Sequence, residues 1–339
     1  MKKFFLSKSI SVLQALSAFV ILGVILAFGM KKNLTASNST IDNKVIAADC
    51  DPHFNPIRNR VDYKFTRPLI AVNLETQSDK LNSIKAQLSD LINNRCKNGT
   101  LAQGSIYLKN LENGEWTAIN ENTGYHPGSL AKVPTLICYL KGSERDPSIL
   151  DKKYKLTKLP PGMPHQNFEP ENSVQANKYY TVRELLKYMI VYSDNAAAYL
   201  LNMNMNTALF QKVFTDFGLK KPELVDPDYM LTVKEYSMFL RVLYNATYLS
   251  ADHSDFALDL LTKSPFHEGL TKTLPMQTVV AHKFGETNAN NNLEMHESGI
   301  IYCDKHPYLV TMMTKGYDLK IQAEAISEAS DLIYKFFCN

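Results

Sequence analysis

The apolar positions of this chain fall into patterns that change with position. Ile10 to Met30 is apolar apart from Ser11, Gln14 and Ser17, with lysines on both sides. At about 1.5 Å per residue such a run as a helix crosses the roughly 30 Å of a bilayer core. It is longer than the usual core of a cleavable signal peptide, so an uncleaved anchor is the expectation. Residues 33–60 begin with a polar stretch rich in Asn, Ser and Thr and read as a tether. From there the pattern is that of a folded domain over 61–339. Leu81, Ile84, Leu88, Leu91 and Ile92 recur at helical spacing and predict a helix over 78–96. Gly104–Leu111 and Glu115–Asn120 flank Glu112-Asn113-Gly114, the signature of a β-hairpin. A mostly helical region follows over about 129–262, broken by a proline-rich loop near 159–170. Strand patterns return at Val279–Lys283, Glu297–Tyr302 and Tyr308–Thr314. Ala325, Ile326, Ala329, Leu332, Ile333 and Phe336 then mark the face of a closing helix. Helix, strands, many helices, strands, helix is the order of an α+β protein in three αβα layers. Its antiparallel sheet is built from both chain ends, with an all-helical subdomain inserted between the halves.

Composition narrows the choice of function. The 339 residues are 45% hydrophobic, ample for a core, which excludes disorder and a small disulfide scaffold. The formal charge of +3 divides unevenly: Lys2, Lys3, Lys8, Lys31 and Lys32 stand in the first 32 residues without an acid. The remainder holds 32 basic against 34 acidic groups. A folded part near −2 is no nucleic-acid binder. His267-Glu268 and His296-Glu297 have no second histidine at helical spacing, so neither predicts a metal site, and no cofactor is expected. Cys138 and Cys303, in apolar surroundings, read as buried free thiols. Of Cys50, Cys96 and Cys338, one pair is open to oxidation. Trp116 falls in a hairpin strand and reads as packing.

Three short motifs carry the candidate chemistry. In Pro127-Gly128-Ser129-Leu130-Ala131-Lys132, a serine precedes a lysine by three residues, one helical turn. A buried amine can activate a serine hydroxyl that is otherwise a poor nucleophile, and a helix start offers N–H groups to a developing oxyanion. Ser193-Asp194-Asn195 lies between two apolar helical runs, where it either caps the second helix or faces a cleft. Lys283-Phe284-Gly285 is expected at a strand end. There the lysine could protect an edge and the glycine could let a ligand lie against the strand.

Together, in this order, the motifs resemble those of the penicillin-recognising serine hydrolases, and within them the class A β-lactamase-like domain. The resemblance covers about 78–338 and includes Tyr192-Ser193-Asp194-Asn195-Ala196-Ala197-Ala198. It implies a β-lactamase/transpeptidase-like fold and a catalytic set of Ser129, Lys132 and Ser193. Ser129 would be the nucleophile, Lys132 the group that takes its proton or shapes the field that lets it leave, and Ser193 the donor to the departing nitrogen. Asn195, Lys283, Gly285 and Glu286 would bind substrate: Asn195 a side-chain amide, Lys283 the carboxylate. The Glu286 N–H would join that of Ser129 in the oxyanion hole, along the edge opened by Gly285. The substrate would be a β-lactam, or a cell-wall peptide ending in D-Ala-D-Ala. A single-pass inner-membrane protein with its catalytic domain in the periplasm is expected.

Two departures from the pattern bear on activity. The loop that normally carries a deacylating glutamate is shortened to Gly218–Asp228, where Glu223 is the one acid at comparable distance. Phe284 stands where a Thr or Ser hydroxyl normally helps bind the carboxylate. Three functions stay open: a β-lactamase slow in deacylation, a D,D-peptidase, and a catalytically silent sensor of cell wall or β-lactam.

Overall fold

The computed structural model describes residues 57–58, 63–71, 77–158, 166–223, 228–289, 292–303 and 306–338. The expected anchor and most of the tether lie outside the described residues. Among the described residues no helix is long and apolar enough to cross a membrane.

The fold is α+β, as the alternation of patterns predicts. Helix α1 (Asn82–Lys97) leads into strands β1 (Gln103–Asn110) and β2 (Trp116–Ile119). A helical region follows: α2 (Lys132–Ser143), α3 (Val182–Val191), α4 (Asn195–Asn204), α5 (Thr207–Asp216), α6 (Val233–Asn245) and α7 (Ala251–Leu261). A two-stranded ladder of Lys153–Lys155 with Tyr179–Thr181 interrupts it. Strands β3 (Val279–Ala289), β4 (Asn292–Tyr302) and β5 (Tyr308–Gly316) and helix α8 (Leu319–Cys338) complete the chain. The five strands form one antiparallel sheet in the order β2-β1-β5-β4-β3, so β5 from the C-terminal half pairs with β1 from the N-terminal half.

Alternation along the strands splits the apolar residues between the two faces. Ile106, Leu108, Val310 and Met312 pack with Ile84, Leu88, Ile326 and Ile333 of α1 and α8. Tyr107, Ala281, Ile300 and Met313 join the larger core with Leu136, Leu186, Phe239 and Leu258 of the helical region. Two helices start where their sequences dictate, each with a capping box: Thr181 with Glu184, and Thr232 with Glu235. Trp116 stacks on Tyr107 at 5.6 Å, the packing role expected of it.

Three expectations are corrected: Lys283 at a strand end, Cys303 as a free thiol, and a partner for Cys338 sought among Cys50 and Cys96. Strand β3 runs through Phe284 and Glu286 to Ala289, so Lys283 sits in mid-strand. The strand pairs with β4 along its whole length, from Val279 opposite Tyr302 to Ala289 opposite Asn292. Cys303 is bonded to Cys338 with Cα atoms 5.9 Å apart, while Cys96 and Cys138 are free. The free-thiol reading of Cys303 fails because it lies just past the end of β4. There Tyr308 stacks on Phe337 at 4.8 Å and draws the last turn of α8 alongside. Cys138 is the buried thiol expected, and burial pushes its pKa up to about 12.

The segment before α2 is clamped from three sides. Glu294 of β4 accepts hydrogen bonds from His126 N at 2.9 Å and from the His126 ring, and lies 3.4 Å from Lys315 Nζ. His296 Nε2 donates to His126 O at 3.0 Å, and Tyr236 of α6 donates to Leu130 O at 3.0 Å. Against β3 the contact is backbone on backbone. A Cβ at Gly285 would stand 2.8 Å from Leu130 N and 2.9 Å from Pro127 O. One at Gly128, whose φ is +51°, would stand 2.6 Å from Glu286 O.

Two outcomes follow. Gly285→Ala overpacks this contact and is expected to lower unfolding stability by about 1–3 kcal/mol in urea titration; a variant as stable as the parent would contradict it. Burial alone would raise the Glu294 carboxyl, but hydrogen bonds from His296 and His126 and the Lys315 charge hold it at about 2. Its stabilisation is therefore complete above pH about 4.5 and is lost as pH falls toward 2. Urea midpoints should drop through that window, and Glu294→Gln should flatten the drop.

Candidate active site

Ser129 sits in a 3₁₀ turn, Gly128–Ala131, that runs straight into α2 at Lys132. The nucleophile candidate therefore precedes the α-helix by one turn, and the three-residue spacing still brings the amine back to it. Lys132 Nζ lies 2.9 Å from Ser129 Oγ. Three further oxygens surround the same nitrogen: Ser193 O at 2.6 Å, Asn195 Oδ1 at 2.8 Å and Ser193 Oγ at 3.1 Å. Burial lowers the Lys132 pKa to about 7, against the opposing pull of the Asp194 and Glu286 carboxylates. At neutral pH a large share of the Lys132 side chain is therefore an uncharged amine. Its two N–H groups match the two closest oxygens, and its lone pair is left to face the Ser129 hydroxyl.

Both readings of Ser193-Asp194-Asn195 hold, on different residues. Asp194 caps α4, accepting from Ala196 N at 2.9 Å, and also accepts from Val174 N at 2.8 Å. Ser193 and Asn195 turn to Lys132 instead. Ser193 reaches it in the left-handed region, with φ +57°, a conformation that costs a serine on the order of 1 kcal/mol. The contacts of its carbonyl oxygen with Lys132 Nζ and Gln166 Nε2 hold it there.

Lys283 departs from expectation. It is 1% exposed, and its ammonium donates to Ser193 Oγ and to Phe284 O, both at 2.8 Å. Burial, then the neighbouring Lys132 charge, push its pKa well below the usual lysine range. Lys283 thus supports Ser193 and does not open onto the cleft. Phe284 is also buried, stacked on Phe266 at 4.0 Å, with Phe168 edge-on to both and Lys283 Nζ 4.2 Å above its ring. The missing hydroxyl has become part of an aromatic wall. Gly285 does not clear room for a ligand; its bare Cα faces the nucleophile turn, because that turn occupies the space a side chain would need.

Ser129, Lys132, Asn195 and Glu286 line a cleft of about 990 Å³ that continues past Ala198, Tyr199, Met205 and Phe210 to Glu223. Glu223 thus shares a cleft with the serine. Sequence patterning misses the side chain of Glu286. Its carboxylate accepts from Asn167 N at 2.9 Å, Asn167 Nδ2 at 2.8 Å and Phe168 N at 3.1 Å. Gln166-Asn167-Phe168 carries no periodicity and lies far from Glu286 in sequence, so no local signal joins them.

Solved structures share this fold at low identity. A PBP-A variant, solved as an acyl-enzyme complex with penicillin G, is 18% identical with a TM-score of 0.64; the match covers 78% of this chain and 98% of that one. A β-lactamase from Chitinophaga pinensis is 20% identical with a TM-score of 0.65, covering 75% and 99%. The TLA-3 extended-spectrum β-lactamase is 20% identical with a TM-score of 0.64, covering 74% and 98%. No curated protein matches the chain. The model of the β-lactamase enzyme family matches residues 83–337, a span that holds all three motifs and the whole of the cleft. The chain belongs to the β-lactamase enzyme family.

Proposed function

We propose that the protein is a serine hydrolase that forms an acyl-enzyme with β-lactam amides at Ser129 and releases it slowly. The observation that carries this reading is the 2.9 Å contact between Ser129 Oγ and a Lys132 amine that titrates near neutrality. The PBP-A structure trapped as a penicillin G acyl-enzyme supports it from the same fold. Ser129 Oγ attacks the carbonyl carbon while its proton moves to the lone pair of Lys132. The carbonyl oxygen takes up negative charge against the backbone N–H groups of Ser129 and Glu286. As the C–N bond breaks, Lys132 returns a proton through Ser193 Oγ, 3.1 Å away, to the departing nitrogen. The serine has lost a proton and the nitrogen has gained one, so the step balances. Lys283 keeps the Ser193 hydroxyl oriented for the relay.

Water must then attack the ester, and that step needs its own base. Among the described residues of the shortened loop the acid on the cleft wall is Glu223, and its exposure leaves its carboxylate to bulk solvent and not to a water held against the ester. The acyl-enzyme is accordingly long-lived. That favours, as a second reading, a D,D-peptidase acting on D-Ala-D-Ala peptides. We further propose that residues 1–32 anchor the chain through a transmembrane helix and that residues 61–339 act outside the cytoplasm. The Cys303–Cys338 bond supports this placement, since disulfides persist in oxidising compartments.

Mass spectrometry of the full chain with benzylpenicillin tests the reading. The expected result is one added penicillin mass on Ser129, absent in Ser129→Ala and persisting for minutes or longer. Rapid turnover would favour an efficient β-lactamase, and no adduct at any time would overturn the proposal in favour of a silent sensor. The pH dependence gives an independent check. Protonated Lys132 has no lone pair, so the acylation rate should rise with pH through about 7 and then level. Lys132→Ala should abolish that rise and slow acylation by roughly 10²–10⁴-fold.

A further inference from the structure

The charges that face the cleft differ from those expected for a carboxylate-bearing substrate. Among its described lining residues the charged groups are Lys132, Glu223 and Glu286. Lys132 is already surrounded by four oxygens and titrates near neutrality. Lys283, the cation expected to receive a carboxylate, is buried behind Ser193 and the ring of Phe284. What covers this end is the segment Gln166–Phe168. Gln166 Nε2 donates to Ser193 O at 3.2 Å, and Phe168 closes the aromatic cluster with Phe266 and Phe284. The segment is latched by three hydrogen bonds onto the Glu286 carboxylate, on the strand that carries Lys283. Charge-assisted bonds of this kind are about twice as strong as neutral ones, so the latch is a substantial barrier to entry.

An anion approaching Lys283 would have to displace the Gln166–Phe168 segment and then lie beside the carboxylate of Glu286. Like charges at that spacing disfavour one partner and leave an uncharged one unaffected. We infer that Glu286 is a specificity-determining residue that closes the Lys283 end of the cleft. The preferred acyl donor then carries no carboxylate beside its scissile bond, which makes free-acid penicillins slow acyl donors and sets the cleft against D-Ala-D-Ala peptides. The inference deepens the proposed hydrolase reading and rests on it for the identity of the nucleophile. Glu286 acts here through its side chain, so substitution leaves its backbone N–H in place.

Benzylpenicillin and its methyl ester form a matched pair of probes that share the reactive ring and differ in one charge. Acylation of Ser129 in the full chain is expected to be faster with the ester. Glu286→Gln should move the acid-to-ester rate ratio toward the acid by about tenfold, the change that accompanies loss of one charge-assisted hydrogen bond. Asn167→Ala, which removes the Nδ2 bond and keeps the two backbone ones, should move the ratio in the same direction by a smaller amount. A faster reaction with the acid in the parent chain, or a ratio unchanged in both variants, would overturn the inference. Binding measured in Ser129→Ala separates this from failure of the hydrolase reading. If neither probe acylates any form, that reading falls. The inference then stands only if Ser129→Ala binds the ester more tightly than the acid and Glu286→Gln narrows the gap.

Discussion

Two lysine amines and one serine hydroxyl, buried together, set the terms for the rest of this protein. Lys132 and Lys283 both point at Ser193 Oγ, from 3.1 and 2.8 Å. Burying one ammonium without a carboxylate against it is costly, and burying two side by side is costlier. The fold meets the constraint with neutral oxygens: Ser193 O, Asn195 Oδ1 and Phe284 O surround the nitrogens. Neutral acceptors leave the amines basic enough to take a proton and weakly enough held to give one up. A full carboxylate partner would have fixed Lys132 as a permanent cation. The nearest acid in sequence, Asp194, instead binds the backbone N–H groups of Ala196 and Val174. Asp194 therefore acts on Lys132 only through space, offsetting part of the cost of its burial.

How much of this is legible in the sequence depends on distance along the chain. Ser129 and Lys132 are three residues apart, and a helical turn brings them together however that turn is classified. The fold class is legible because strand and helix periods differ, and because no all-helical reading accommodates the hairpin after α1. The ends of β3 are harder to place. Strand pairing with β4, and not local composition, carries it past Lys283 to Ala289. The partners of Lys283 and Glu286 are harder still. Lys283 meets Ser193, from a helix junction 90 residues away, and Glu286 meets a loop whose residues have no repeating pattern and whose position follows only from tertiary packing. Cys303 illustrates the same point, since an apolar neighbourhood is compatible with a free thiol or a disulfide until the end of α8 is placed.

The family pattern is retained where proton transfer needs it and altered where a substrate anion would be received. Ser129, Lys132, Ser193 and Asn195 form one connected set of contacts around a single nitrogen. Phe284, Phe266 and Phe168 replace a polar wall by an aromatic one. The cleft runs from Ser129 past Tyr199 and Phe210 to Glu223.

The contact between Gly128 and Gly285 has a further consequence. The nucleophile is located by main chain against main chain, with Glu286 O, Leu130 N and Pro127 O filling the space where side chains would otherwise stand. Its position is therefore decoupled from the identity of the residues that line the cleft. Side chains such as Ala198, Tyr199, Met205 and Phe210 line the cleft without taking part in that contact. The two glycines allow no comparable latitude. The region divides into a frame of main chain that fixes Ser129 and an outer wall of side chains that lies beyond that frame.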